Sequence, residues 1–133
     1  MGAPIATANS TVVGVDLHIV LVPTPGGPVP TPLPHPYNGA IQSGVSATVF
    51  AAGQGVATQD SVSMNQPVHL PTPPGTSFQK PPSNQGSVLL GSATVKAGGK
   101  PVARVGDQVK TCNDPADQPV SSIVAPAGTV MVG

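Results

Sequence analysis

Residues 92–109 read SATVKAGGKPVARVGDQV, and residues 46–62 read SATVFAAGQGVATQDSV. At an offset of 46 the two stretches share SATV, the Ala that follows one residue later, a Gly and Val-Ala. In each copy a short apolar strand, a Gly-containing turn and a return strand follow one another, a pattern typical of a β-hairpin. Gly53 and Gly99 are expected to supply positive φ in the turns. A shorter copy, AGTVMVG, occupies residues 127–133. Because isolated hairpins are marginally stable in water, these copies are expected to pack on one another.

The composition favours strands over both helix and disorder. The chain has 18 Pro and 16 Gly in 133 residues, a fraction usually found in low-complexity segments. However, Val, Leu, Ile and Phe together make up 32 residues, 20 of them Val, and Val prefers strands. Glu is absent and only 8% of residues are charged, so exposed helical faces cannot be supplied. The sequence therefore predicts an all-β protein, and an ordinary small sandwich or barrel with two similar hairpins is compatible with it.

Two proline-rich segments, residues 23–36 and 67–82, flank the first full copy of the repeat. From Pro28 to Pro36 every second residue is Pro, which fixes φ and holds each preceding residue in extended geometry. The first segment is therefore predicted to be a stiff extended ribbon and neither a helix nor a central strand. A linker, or a ligand for an SH3-type groove, is the alternative for both segments.

Charge and cysteine content exclude several classes of protein. Five Lys and Arg against five Asp give no basic field for phosphates, so no nucleic-acid partner is expected. Residues 1–79 contain neither Lys nor Arg, so no charged signal-peptide region precedes the apolar stretch 12–22. We therefore expect synthesis in the bacterial cytoplasm without a signal peptide. A single Cys excludes an intrachain disulfide.

Residues 91–107, GSATVKAGGKPVARVGD, closely resemble the signature of PAAR-repeat proteins. The eponymous Pro-Ala-Ala-Arg run is represented here by residues 101–104, Pro-Val-Ala-Arg. The resemblance implies one PAAR-like domain over residues 1–133: a small cone of short β-hairpins with pseudo-three-fold repeats and proline-rich extended loops. On this basis the repeats span about 44–62, 91–109 and 121–133.

The resemblance also implies a function. Such proteins form the membrane-piercing tip that caps the homotrimeric, VgrG-like spike of a phage-tail-like contractile injection system, one tip per trimer. We expect transient contact with a target membrane, possible attachment of effector cargo, and a location at the tip of the particle, exported or released with it. The alternative is a proline-rich β adaptor that tethers effector cargo to the spike.

The family further implies a structural zinc ion near the vertex, held by His and Cys side chains. The chain contains His18, His35, His69 and Cys112, enough for one closed four-ligand site per chain. Their spacing alone does not indicate zinc, and each side chain has an ordinary structural alternative. His18 ranks last among them, because the alternating run 15–20 leaves open that its side chain points outward.

Catalysis is not expected. The five Asp are scattered, no Ser lies in a Gly-x-Ser-x-Gly motif, and four protein ligands would leave zinc no open position for water. A zinc hydrolase is a minor alternative if His18 is not a ligand. Asp60 and Asp107, which align if one residue is inserted, are interpreted as turn caps. Arg104 is expected to bond backbone carbonyls or Asp107.

Overall fold

The computed structural model describes residues 3–51, 53–125 and 130–132, and within them every regular element is a β-strand. The predicted all-β class is therefore confirmed. In these ranges no helix is long and apolar enough to cross a membrane. The strands are β1 (Ala3–Pro4), β2 (Thr11–Val22), β3 (Val29–Ser43), β4 (Phe50–Ala51), β5 (Gln54–Gly55), β6 (Val62–Asn65), β7 (Ser77–Phe78), β8 (Gln85–Val88), β9 (Lys96–Ala97), β10 (Lys100–Pro101), β11 (Gln108–Thr111), β12 (Gln118–Ala125) and β13 (Met131–Val132).

Six of the strands close into a small barrel. All neighbours are antiparallel in the order β12–β11–β8–β6–β3–β2, and β12 pairs with β2 to complete the circle. Closure removes the two free edges that an open sheet of this size would expose. Inward-pointing side chains of these strands and three alanines outside the strands form the core: Ala6, Val12, Tyr37, Ile41, Ala57, Val88, Ala103, Val109 and Ile123.

One end of the barrel is closed by a ring of three backbone segments, residues 5–7, 56–58 and 102–104. The central residue of each is a fully buried Ala, and the three alanines are joined cyclically. Ala57 donates its N–H to the carbonyl of Ala6 (2.9 Å), Ala103 donates to Ala57 (2.9 Å), and Ala6 donates to Ala103 (3.0 Å). The three segments thus make the same contacts in rotation, which gives this end of the molecule approximate three-fold symmetry.

The turn after each segment repeats the same hydrogen bond. The backbone N–H of residues 7, 58 and 104 is accepted at 2.8–2.9 Å by the side chain three residues later: Ser10, Ser61 and Asp107. The residue before each acceptor has positive φ: Asn9, Asp60 and Gly106. The predicted equivalence of Asp60 and Asp107 is therefore wrong, because the 46-residue offset continues without an insertion and pairs Asp107 with Ser61.

The prediction for Arg104 is confirmed. Its Nε and Nη2 donate to the two carboxylate oxygens of Asp107 at 3.1 and 2.9 Å. Arg104, the last residue of the Pro-Val-Ala-Arg run, thus belongs to a turn, and its charge is paired with the carboxylate of a residue three positions later. This local pairing also explains why Arg can stand where the other two repeats have Thr.

Three two-stranded antiparallel pairs lie beyond the ring: the hairpins β4–β5 and β9–β10, and the pair β1–β13, which joins the two ends of the described chain. Gly53 and Gly99 have φ of 80° and 82° in their turns, as predicted. Of the predicted third copy, residues 121–125 belong to β12 and 131–132 to β13, whereas 126–129 and 133 lie outside the described residues. The repeat boundaries stay predictions.

The first proline-rich segment is extended, and most of it is a strand. Residues 29–36 form the first half of β3 and pair with residues 15–22, the second half of β2. β3 meets its other neighbour, β6, only from Gly39 onward, so the prolines occupy a free edge, where a missing N–H breaks no ladder. The second segment, residues 67–82, runs as a loop that contributes only β7, which pairs with Val20 and Leu21.

Enlarging an alanine of the ring should destabilise the whole fold. Ala57 has no exposed surface and lies between two backbone neighbours, so Ala57→Val overpacks the barrel end. We expect a loss of about 1–3 kcal/mol in the free energy of unfolding, measured by denaturant titration. Ala47→Val, at an exposed position, is the control and should leave that free energy nearly unchanged; equal effects from the two substitutions would contradict the packing described here.

Candidate metal centre and basal surface

Five side chains with metal-binding chemistry meet at the end of the barrel opposite the ring. Asp16 and His18 lie on one face of β2, two residues apart, and His35 lies on β3, in register with Asp16. His69 comes from the loop after β6, and Cys112 directly follows β11. All five are at least 93% buried, so separate parts of the chain bring polar groups to one dry location.

Asp16 is the hub of this cluster. Its Oδ1 accepts hydrogen bonds from Thr111 Oγ1 (2.5 Å) and Asn113 Nδ2 (3.2 Å). Its Oδ2 lies 2.9 Å from His69 Nε2 and 3.5 Å from Cys112 Sγ. A fully buried carboxylate is tolerated only where such partners replace water. Asp16 therefore has one oxygen satisfied by neutral donors and one directed at the His and Cys side chains.

His18 is a buried side chain whose ring nitrogens lack partners. Neither Nδ1 nor Nε2 has a hydrogen bond within the described residues, and Nδ1 lies 3.5 Å from Asp114 Oδ2 without hydrogen-bond geometry. Burial lowers the pKa of His18, against the opposing effect of Asp114, which favours the neutral imidazole that binds metals. A cavity of about 70 Å³ adjoins His18 and Cys112. Buried ring nitrogens without partners beside a cavity are suited to a water molecule or an ion, and a metal ion bound to His18 would satisfy one of them.

His35 differs because both of its nitrogens have partners. Nδ1 lies 2.8 Å from the carbonyl of Leu33, to which it donates, and Nε2 accepts the backbone N–H of Thr72 at 3.2 Å. Its ring centroid lies 5.4 Å from that of His18 and 5.6 Å from that of His69. His35 thus lines the cluster, but it could bind an ion only by giving up the Thr72 hydrogen bond.

Cys112 is held as a thiol by its surroundings. Burial, reinforced by the neighbouring Asp16 carboxylate, raises the pKa of Cys112 to about 11. Without a cation the sulfur keeps its proton at neutral pH, whereas coordination to a divalent ion deprotonates a thiol outright.

The donor set fits a tetrahedral ion. Ligand atoms of Asp16, His18, His69 and Cys112 all lie within 4.8 Å of one another. Neighbouring ligand atoms on one tetrahedral zinc are about 3.3–3.6 Å apart, given Zn–N near 2.05 Å and Zn–S near 2.3 Å. The observed Sγ–Oδ2 separation of 3.5 Å agrees with that range, and the Nε2–Oδ2 separation of 2.9 Å is slightly shorter. The bound of 4.8 Å for the whole group is wider than that range, so the four atoms would draw closer together around an ion.

The structure brings all four predicted residues into one cluster, and His18, His69 and Cys112 belong to the group of close ligand atoms that also contains Asp16. Their role as metal ligands stays a prediction. The expectation that His18 could point outward is wrong, since it is 1% exposed. Asp16 was missed by sequence reasoning. Its signal was present, because alternate residues of a strand share a face, so Asp16 must face the same way as His18.

The opposite end of the molecule carries an exposed apolar surface with the symmetry of the ring. Val49, Val95 and Val130 accept equivalent backbone hydrogen bonds, from Val56, Val102 and Ile5, and are exposed to nearly equal extents: 41%, 40% and 44%. The residue after each is also exposed. We call these six residues the basal surface: Val49, Phe50, Val95, Lys96, Val130 and Met131.

The motif in the sequence has an independent counterpart among known families. A family model described as the PAAR motif matches residues 79–133, which include β8 to β13, Cys112 and two thirds of the basal surface. No curated protein matches the chain. The PAAR motif supports a spike-tip role in contractile injection systems, of which type VI secretion is one. Together with the all-β fold and the buried cluster, this match over the C-terminal part of the chain supports its similarity to PAAR-repeat spike-tip proteins.

Proposed function

We propose that the protein caps a homotrimeric, VgrG-like spike through its basal surface, one chain per trimer. The observation that carries this proposal is the near-equal exposure of Val49, Val95 and Val130 around the alanine ring. A homotrimer presents three identical surfaces around its axis, and a single chain can match them only if it is itself approximately three-fold. Contiguous exposed apolar residues of this kind mark interaction sites.

The direct test is capture of the protein on a purified spike trimer. Wild-type protein should be retained, and it should be displaced by an excess of free tip but not by salt, since five of the six basal residues are uncharged. Failure of the folded protein to bind the cognate spike would overturn the capping role. Retention that survives disruption of the basal surface, but is lost when the exposed loop residues Val68 and Leu70 are replaced, would instead support the adaptor alternative.

We further propose that His18, His69 and Cys112 hold one structural zinc. A closed site supplies no chemistry beyond cross-linking, and here it would join β2, the loop after β6 and the end of β11. For a small barrel whose core is built largely from Val and Ala, such a cross-link is a major source of stability. We accordingly propose a role without catalysis, in a protein made in the cytoplasm and carried at the tip of the particle.

The fourth ligand distinguishes the sequence prediction from the geometry. The sequence predicted His35, whereas Asp16 lies nearer the other three ligands and has one oxygen aimed at them. We expect His35→Gln to keep one zinc per chain and Asp16→Asn to lose affinity by at least about tenfold, read as metal content after dialysis against a weak chelator. The reverse pattern would establish the predicted set of His18, His35, His69 and Cys112.

A further inference from the structure

The hairpin β2–β3 extends well past the rest of the barrel. β2 pairs with β12 only as far as Gly14, and β3 pairs with β6 only from Gly39. We call residues 15–36 the arm. Four residues of β2 separate His18 from the end of the strand at Val22, about 13 Å at 3.3 Å per residue. The turn at residues 23–28 therefore lies farther from the alanine ring than the histidine cluster does, and it forms the end of the molecule opposite the basal surface.

The outer face of the arm is entirely apolar. Asp16, His18 and His35 point inward, so the alternate residues point outward and meet in four cross-strand pairs. These pairs are Val15–Pro36, Leu17–Pro34, Ile19–Pro32 and Leu21–Pro30. Val15 and Leu17 are 57% and 44% exposed, and all four prolines are exposed. Eight neighbouring apolar side chains thus face outward on one sheet surface.

The free edge of the arm offers no backbone donors. In an antiparallel strand alternate residues direct their N–H groups to opposite edges, and the prolines occupy every position that faces away from β2. On the other edge, the N–H groups of Leu17 and Ile19 are accepted by the side chains of Asn113 (2.7 Å) and Asp114 (2.9 Å). In the turn, Gly27 donates to the carbonyl of Thr24. Unpaired N–H groups cost several kcal/mol each in hydrocarbon, and here they are paired or missing.

Apart from the buried Asp16, the arm also carries no Asp, Glu, Lys or Arg. From Leu17 to Gln59 the sequence contains no Asp, Glu, Lys or Arg. Protein-binding surfaces usually carry a polar rim, and an added strand from a partner would need the donors that the prolines remove. Both features instead lower the cost of transfer into hydrocarbon, since charges and unpaired donors are absent from this edge. Its remaining polar groups are the proline carbonyls, of which that of Pro34 accepts the Thr72 hydroxyl at 2.8 Å.

We propose that the arm inserts its turn and its outer apolar face into the hydrocarbon region of a lipid bilayer. This proposal rests on the spike-tip function and assigns the membrane contact of that function to residues 15–36. The prolines then have two roles, since an edge without N–H donors also resists pairing with other strands. Because no charge is involved, binding to membranes should not require anionic lipid and should be insensitive to salt.

The test is flotation of the protein with vesicles of neutral phosphatidylcholine. Wild-type protein should float with the vesicles equally at low and high salt. Replacing both Pro30 and Pro32 with Asp should reduce the bound fraction at least about tenfold, because charges are strongly disfavoured in hydrocarbon. Leu90→Asp, at a residue 62% exposed outside the arm, is the matched control and should float like wild type.

A second pair of variants at the same positions separates the lipid role from protection of the edge. Replacing Pro30 and Pro32 with Ala keeps the face apolar but restores two N–H donors, so flotation of the monomeric fraction of this variant should fall several-fold. Wild-type protein that stays with the unbound fraction, or a Pro-to-Asp variant that floats normally, would overturn the proposal. All arm variants should be captured on the spike trimer as well as the wild type is. If the wild-type protein itself were not captured, that result would count against the spike-tip function and not against the membrane contact of the arm.

Discussion

Cys112→Ser should release the zinc and lower the melting temperature by about 40 °C. Structural zinc contributes about 10 kcal/mol or more in small metal-dependent modules, and each kcal/mol corresponds to about 4 °C in a domain of this size. The remaining ligands cannot compensate, because a serine hydroxyl keeps its proton and binds zinc poorly. Metal content and thermal unfolding, measured on the same sample, test this prediction.

Two comparisons separate loss of metal from ordinary damage to the core. Ser63→Ala removes another buried polar group, one that bonds the Tyr37 hydroxyl at 2.7 Å, and should cost only about 1 kcal/mol with zinc retained. A strong chelator should lower the melting temperature of the wild type to that of Cys112→Ser and should have no effect on the variant. Wild-type protein that is isolated without zinc and melts normally would contradict the metal site.

Replacing Phe50 and Met131 with Asp should weaken binding to the spike by at least about 100-fold. Both side chains are exposed, by 60% and 57%, and lie at equivalent positions of two basal hairpins, so the isolated protein should tolerate the change. In the complex two carboxylates would be buried against apolar surface, and central interface positions of this kind commonly contribute 2 kcal/mol or more each. Binding to immobilised spike trimer gives the affinity.

Leu70→Asp is the control for that experiment. Leu70 is the most exposed of the large apolar residues, at 75%, and lies in the loop after His69, at the opposite end of the barrel. The affinity of this variant for the spike should equal that of the wild type. If Leu70→Asp weakened binding as strongly as the basal substitutions, the basal surface would not be the docking site.

The fold was predictable from the sequence where the chain repeats itself. The 46-residue offset placed two hairpins and their positive-φ glycines, because turn chemistry is local and is written in adjacent residues. Residue type alone pairs Asp60 with Asp107, and that pairing is wrong because Ser61 is the structural equivalent of Asp107. Position decides the role instead: Asp60 has positive φ, and Ser61 provides the capping oxygen.

The candidate site was only partly predictable, because its geometry depends on barrel closure. The separations of 51 residues between His18 and His69 and 43 between His69 and Cys112 contain no local signal, and only the family resemblance suggested a shared site. Sequence could not show that Thr72 occupies a nitrogen of His35, since that hydrogen bond joins residues 37 apart. The sequence also did not predict that β12 pairs with β2 to close the barrel, because pairing between distant strands has no local signature.

The most direct test of the spike-tip assignment is the mass of the native complex formed with the cognate spike. We expect a single species that contains three spike chains, one copy of this protein and one zinc ion. Three copies per trimer, or a complex that assembles with full stability without zinc, would contradict this expectation.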